Sequence, residues 1–305
     1  MDPESAWQYG RSAIDFVLVH TSHPGNVGAA ARAISVMGFN RLVLVRPFVD
    51  RANEHREATA LASGARDVLA NCRIVDTLAQ AIGDSQFAVG VSAEGREFSQ
   101  KPQSPEAIAG QISSCIAEFS AADEPADNIR NDLIADKPAP IALVFGTERD
   151  GLRLSEAQQC QAMCTIASNP AYGSLNLAQA VQVIAYVVRQ ALLIERPPAP
   201  PVEKARHHRD LPAPNQQLDS MLNHLETVLV GIDFLDPAQP KRLMQRLRHL
   251  FTRANLSITE VDILRGIFNQ VEALRSQQAL QSQRRQSRQP KTADGNPTTI
   301  SNDDD

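Results

Sequence analysis

Three short stretches of the chain carry residue types and spacings that can do chemistry. The first, HPGNVGAAAR over residues 23–32, and the second, NPAYGSLNLA over 169–178, each set a turn rich in Gly, Asn or Pro before a run of small residues. That order predicts backbone N–H groups presented at a helix N-terminus, which suits a polar or anionic ligand. Arg32 is the one charged group on the first stretch. Its guanidinium can fork onto a phosphate or a carboxylate, although an ordinary surface arginine has the same sequence appearance. The third stretch, FGTERDGL over 145–152, follows an apolar run and so falls where ligands of open α/β sheets collect. Within it, Glu148 and Arg149 either form a loop ion pair of little energetic weight or tie the loops of a site together. GNVG alone is a weak phosphate-loop signal. The dinucleotide GxGxxG and the P-loop ending in Gly-Lys-Ser/Thr are both missing, which argues against a nicotinamide dehydrogenase and a nucleotide hydrolase.

The elements that must position these stretches follow from the apolar pattern. IDFVLVH (14–20), a helix over about 27–37 and RLVLV (41–45) predict a βαβ unit with parallel strands. Further apolar runs at Ile74, 87–91 (FAVGV), 141–145 (IALVF) and 163–167 (MCTIA) alternate with helical stretches such as 77–82, so the fold class is α/β with a mostly parallel sheet. One helix is expected over 105–119 and an exposed loop over 121–132. Ser155 and Gln158 have capping-box spacing for a short helix, and 175–194 is the longest helix of this domain. The proline-rich stretch 197–216 reads as a linker between a domain spanning 1–196 and a small all-α domain over 217–275. Three amphipathic helices are expected there, at 218–229, 240–251 and 258–268. The polar tail, 276–305, has little apolar surface to bury and reads as disordered.

Charge is divided along the chain. Its 305 residues carry a net charge of −5, yet 241–288 holds ten Lys and Arg against Glu260, Asp262 and Glu272, a local balance of +7. A basic module on an acidic body suits an anionic polymer held by one part while the other does chemistry, and a solvated helix face gives the same count. No apolar leader follows Met1, and the helix at 175–194 is interrupted by Gln179, Gln182, Arg189 and Gln190, so a cytoplasmic protein without a membrane segment is expected. Cys72, Cys115, Cys160 and Cys164 lack CxxC spacing, which predicts reduced thiols and no metal.

Taken in this order, the three motifs resemble the SPOUT superfamily of RNA 2'-O-methyltransferases, and most of all its tRNA enzymes that act in the anticodon loop. The resemblance covers 14–193 and resumes at LNHLETVL (222–229), RLRHLFTRA (246–254) and LRGI (264–267). It implies a C-terminal deep trefoil knot formed by the segment carrying the second and third motifs. It implies S-adenosyl-L-methionine held largely by backbone groups of three loops, which fall on Val91, Ser92, Ala93, Gly146, Ile166, Gly173, Ser174 and Leu175. Catalysis falls to Arg32 with Asn26 and Ser174, in a homodimer that needs no metal. The implied target is the ribose of a cytidine or uridine at tRNA position 32. A guanidinium is a poor proton acceptor, so Arg32 is expected to clamp the adjacent phosphate and stabilise the developing alkoxide. Arg96, Lys241, Arg242, Arg246, Arg248 and Arg253 are the expected tRNA contacts. Two positions depart from the pattern: Glu94 stands where the family carries an arginine, and Gly173 where a serine is common. Glu94 would repel a phosphate, and it is the one feature that favours the alternative, a non-catalytic knotted RNA-binding protein.

Overall fold

The structure is a computed structural model that describes residues 3–93, 100–122, 139–169, 175–194 and 208–286. Strand β1 (Ile14–Val19) is buried along its whole length, as expected of a parallel strand covered on both faces. It takes one charge inside: Asp15 accepts from Arg41 Nε at 2.6 Å and from Arg73 Nη2 at 3.4 Å. With β2 (Leu42–Val45), β3 (Arg73–Val75), β4 (Phe87–Val91), β5 (Pro102–Gln103), β6 (Ile141–Phe145) and β7 (Ala162–Cys164) it forms one sheet in the order β3-β2-β1-β6-β4-β7-β5. Every pairing is parallel. Strand β6 lies between β1 and β4, with Leu143 opposite Phe16 on one side and Val89 on the other.

Alternation along the strands divides the core in two. Phe16, Leu18, Leu143 and Phe145 face a layer that includes α2 (Pro24–Val36), α6 (Pro105–Ala122) and α8 (Leu177–Leu193), with α1 (Pro3–Gly10) packed on α6 and α8. Val17, Val19, Ala142 and Val144 face α5 (Leu78–Ile82) and α7 (Leu154–Ala157). Helices α3 (Arg56–Ala62) and α4 (Arg66–Ala70) lie against α2. Where α2 meets α3 the backbones nearly touch, since a Cβ on Gly28 would stand 2.0 Å from the carbonyl oxygen of Ala58.

Several boundaries differ from the sequence reading. Helix α2 begins at Pro24, because proline fits the first turn, where no N–H bond is owed. Asn26 and the GNVG run therefore lie inside the helix rather than in a turn before it. Helix α7 starts at Leu154, and its cap is the Glu156 carboxylate accepting from Arg153 N at 2.7 Å, not a box of Ser155 and Gln158. Helix α8 is capped by Asn176, whose Oδ1 accepts from Ala178 N at 2.9 Å.

Beyond the linker, α9 (Asn215–Gly231), α10 (Leu243–Ala254) and α11 (Ile258–Gln286) bury Leu218, Met221, Leu222, Leu225, Val228, Val261 and Phe268 against one another. Helix α11 runs well past 276, where a disordered tail was expected; Gln, Ala, Leu and Arg there are good helix formers despite having little to bury. The helical unit is fastened to the sheet domain by Asn215, 5 % exposed. Its Nδ2 donates to the carbonyls of Ser85 (3.2 Å) and Ile82 (3.4 Å), and its Oδ1 accepts from Gln161 Nε2 at 2.7 Å. Gln161 Oε1 in turn accepts from Ala88 N in β4 at 2.8 Å.

Candidate active site

Parallel strands end together, and the loops beyond β4, β6 and β7 enclose a cavity of about 840 Å³. Its walls are the end of β4 and the chain after it (Val91, Ser92, Ala93), the loop after β6 (Gly146 to Gly151 in sequence), the chain after β7 (Thr165, Ile166) and the start of α8 (Leu175, Leu177). The β6 loop folds back on itself, Thr147 and Gly151 exchanging backbone hydrogen bonds of 3.1 Å each. Gly146 is required at this fold, since a Cβ there would come within 2.3 Å of backbone atoms of Gly151 and Leu152. The β4 and β7 walls are joined by Ser92 N donating to Cys164 O at 3.0 Å and Thr165 Oγ1 to Ala93 O at 3.1 Å.

Glu148 ties the first motif to the third. Its carboxylate accepts from Ser22 N (3.2 Å), His23 N (3.4 Å) and Asn26 Nδ2 (2.9 Å), so the two amides just before α2 and one side chain of its first turn are held by the β6 loop. Asn176 Nδ2 donates to Asn26 Oδ1 at 3.0 Å, extending the relay to the cap of α8. Burial pushes the Glu148 carboxyl up, but the hydrogen bonds from Asn26 and Ser22 outweigh it and hold the group below the usual carboxylate range.

Of the residues expected at the cofactor, Val91, Ser92, Ala93, Gly146, Ile166 and Leu175 all line this one cavity. Gly173 and Ser174 lie outside the described residues, as do Glu94 and Arg96. Asn26 stands at the cavity's edge through Glu148, a lining residue. Arg32 is exposed on α2 and is not part of the wall. In the helical unit Lys241, Arg242, Arg246 and Arg253 are exposed. Arg248 is half-buried, and its Nη1 donates to Asp219 Oδ1 at 2.5 Å, fastening α10 to α9. Thr147, Asp150 and Thr165 were not singled out in sequence, although the first two fall inside the FGTERDGL motif. No cluster of metal-ligating side chains occurs among the described residues, and no helix is long and apolar enough to cross a membrane.

The sheet and its cavity at the carboxyl ends of β4, β6 and β7 are those of a chain with a recognisable family. Residues 13–186 match the SpoU rRNA methylase family, and the chain belongs to that family of enzymes. Within it the chain groups with the TrmJ proteins, since residues 216–286 match the C-terminal domain of the tRNA methyltransferase TrmJ. The tRNA (cytidine/uridine-2'-O-)-methyltransferase TrmJ of Klebsiella pneumoniae is 41% identical over 260 residues, covering 85% of this chain and 96% of the relative. The Pseudomonas aeruginosa tRNA (cytidine/uridine/adenosine-2'-O-)-methyltransferase TrmJ is 40% identical over 262 residues, covering 85% and 93%. Among solved structures, TrmJ from Z. mobilis ZM4 superposes with a TM-score of 0.66 at 26% identity, over 85% of this chain and 98% of that one. A probable methyltransferase from Bordetella pertussis gives 0.52 at 38% identity, over 61% and 99%.

Proposed function

We propose that this protein transfers a methyl group from S-adenosyl-L-methionine to the ribose 2'-OH of a pyrimidine at position 32, in the anticodon loop of tRNA. The observation that carries the reading is the cavity at the carboxyl ends of β4, β6 and β7. Its volume of about 840 Å³ suits a nucleoside-sized ligand. The closeness of Gly146 to its own loop leaves backbone, not side chains, to meet that ligand. When bound, the cofactor supplies a methyl already activated on a sulfonium. Val91, Ser92, Ala93, Gly146, Ile166 and Leu175 would hold it, with Gly173 and Ser174, and Glu148 places an ionised carboxylate on the wall.

The chain's own task is to align one hydroxyl with that methyl and manage one proton. Asn26, kept in place by Glu148 and Asn176, is positioned to orient the ribose. Arg32 clamps the neighbouring phosphate, a role its exposure on α2 permits. Exposed apolar side chains on the two packed helices, Val36 on α2 and Tyr186 and Leu193 on α8, support a homodimer formed on this face, with Arg32 beside the contact. Lys241, Arg242, Arg246 and Arg253 hold the tRNA body by its phosphates. The deep trefoil knot and the cytoplasmic location belong to the same reading.

The test is transfer of labelled methyl from S-adenosyl-L-methionine to tRNA by the full chain, followed by nucleoside mapping. One 2'-O-methylated pyrimidine at the entry to the anticodon loop is expected. Cofactor binding without transfer to any tRNA would favour the non-catalytic alternative. A chain ending near Pro197 should lose tRNA affinity across all sequences while keeping cofactor affinity; equal methylation by both would remove the helical unit from the assignment.

A further inference from the structure

The carboxyl edge of the sheet continues past the cavity onto β1 and β2, and there the backbone turns left-handed twice without glycine. His20, directly after β1, has φ 53°, and Arg46, directly after β2, has φ 42°. Residues with a Cβ rarely adopt this conformation. Hydrogen bonds hold both in place: His20 N donates to Val45 O at 2.9 Å and Arg46 N to Val75 O at 2.8 Å. The His20 Nδ1 donates to Arg46 O at 3.1 Å, and Phe48 N donates to Thr21 O at 3.1 Å. On the other side of the imidazole, His20 Nε2 lies 3.7 Å from Glu156 Oε1.

What this framework presents is Phe48, 71 % exposed. Its ring packs on the His20 imidazole, centroids 6.3 Å apart at 59°, and Arg46, two residues before it in the same turn, is exposed. A single exposed apolar side chain is ordinary. One seated on two hydrogen-bonded left-handed residues, next to an arginine, at the ligand edge of the sheet, is a built feature. β1 adjoins β6, whose continuation at Thr147 walls the cavity, so the turn after β2 stands about two strand spacings, ~10 Å, from the β6 side of the cavity.

We propose that Phe48, backed by His20 and flanked by Arg46, is a stacking platform for a nucleobase adjacent to the ribose that is methylated. This rests on the RNA-methyltransferase reading above. A flat aromatic face accepts any base, and an arginine beside it meets the phosphate, the combination by which proteins hold unpaired strands. Of the acidic groups around it, Glu54 is paired with Arg51 and Glu156 faces His20, while Asp50, two residues on, is exposed.

Phe48→Ala and Phe48→Trp, made in the full chain, test it by anisotropy of labelled tRNA and by methyl-transfer kinetics. Phe48→Ala is expected to weaken tRNA binding about tenfold and to raise KM for tRNA equally. Affinity for S-adenosyl-L-methionine is expected to stay unchanged, and Phe48→Trp to restore tRNA binding. Arg46→Ala is expected to weaken binding and to flatten its salt dependence. Unchanged tRNA affinity in Phe48→Ala, or equal losses in Ala and Trp, would overturn the platform, as would a change of oligomeric state in Phe48→Ala. Absence of methylation by the unaltered chain would instead strike the functional reading, leaving the platform to be judged on binding alone.

Discussion

Asn26 Nδ2 donates to Glu148 Oε1 at 2.9 Å across 122 residues of sequence. The contact joins the first turn of α2 to the loop after β6, and so joins the residues assigned to RNA to those assigned to the cofactor. It also makes the two motifs one unit, in which a change on either side is felt by both.

Glu148→Ala should therefore cost cofactor affinity and turnover together, each by at least about tenfold, because three donors lose their acceptor. Isothermal titration with S-adenosyl-L-methionine and single-turnover methyl transfer measure the two. The Glu148 carboxyl is held below its usual range, so its stabilisation is complete above about pH 4.5 and is lost as pH falls through the lowered value. Acid unfolding of Glu148→Gln should lack that share of the pH dependence.

Arg32→Lys keeps the charge and loses the fork. Methyl transfer to tRNA should fall by about a hundredfold or more, with cofactor affinity unaffected. Near-normal turnover by the lysine variant would sink the clamp.

Gly146→Ala places a methyl within 2.3 Å of backbone that cannot step aside. The β6 loop must open, with loss of cofactor binding in calorimetry and about 1–3 kcal/mol of stability in denaturant titration.

Asn215→Ala leaves Gln161 Nε2 without its acceptor and removes the side-chain donor from the carbonyls of Ser85 and Ile82, which keep only their backbone bonds. About 1–3 kcal/mol of stability should go, read as a lower Tm, while far-ultraviolet circular dichroism keeps its helical signal.

Burial holds the Cys160 thiol at about 12, with the Glu156 charge adding to it. Cys164, raised by burial and by Glu106, also stands at about 12. Thiolate is the reactive form, so iodoacetamide at pH 8 should leave both unlabelled in mass spectra until the chain unfolds.

Much of this was legible in the residues. The strands carrying β1, β2, β4 and β6 announce themselves as β-branched runs because both their faces are buried, and six expected cofactor residues meet in one cavity. Helices α3 and α4 were not legible: they are short, and their fit to α2 rests on a close backbone approach at Gly28 that no periodicity reports. Nor could sequence choose between the two readings of Glu148, since its partners lie more than a hundred residues away. The reach of α11 was missed for the opposite reason, since helix propensity sustained it where hydrophobic pattern had ended. Nor was the ion pair of Arg248 legible, because charge in a sequence does not say that a carboxylate one helix away pairs with it.

The position of β4 in the sheet sets a schedule for the newborn chain. Both of its neighbours, β6 and β7, come later in the sequence, so a polypeptide leaving the ribosome carries β4 with two open edges until Phe145 has emerged and with one until Cys164 has. Long-range parallel pairing of this kind is slow and leaves apolar edges uncovered. The cavity is thus the last part of the sheet to be assembled, and a chain halted before β7 has no such cavity to fill.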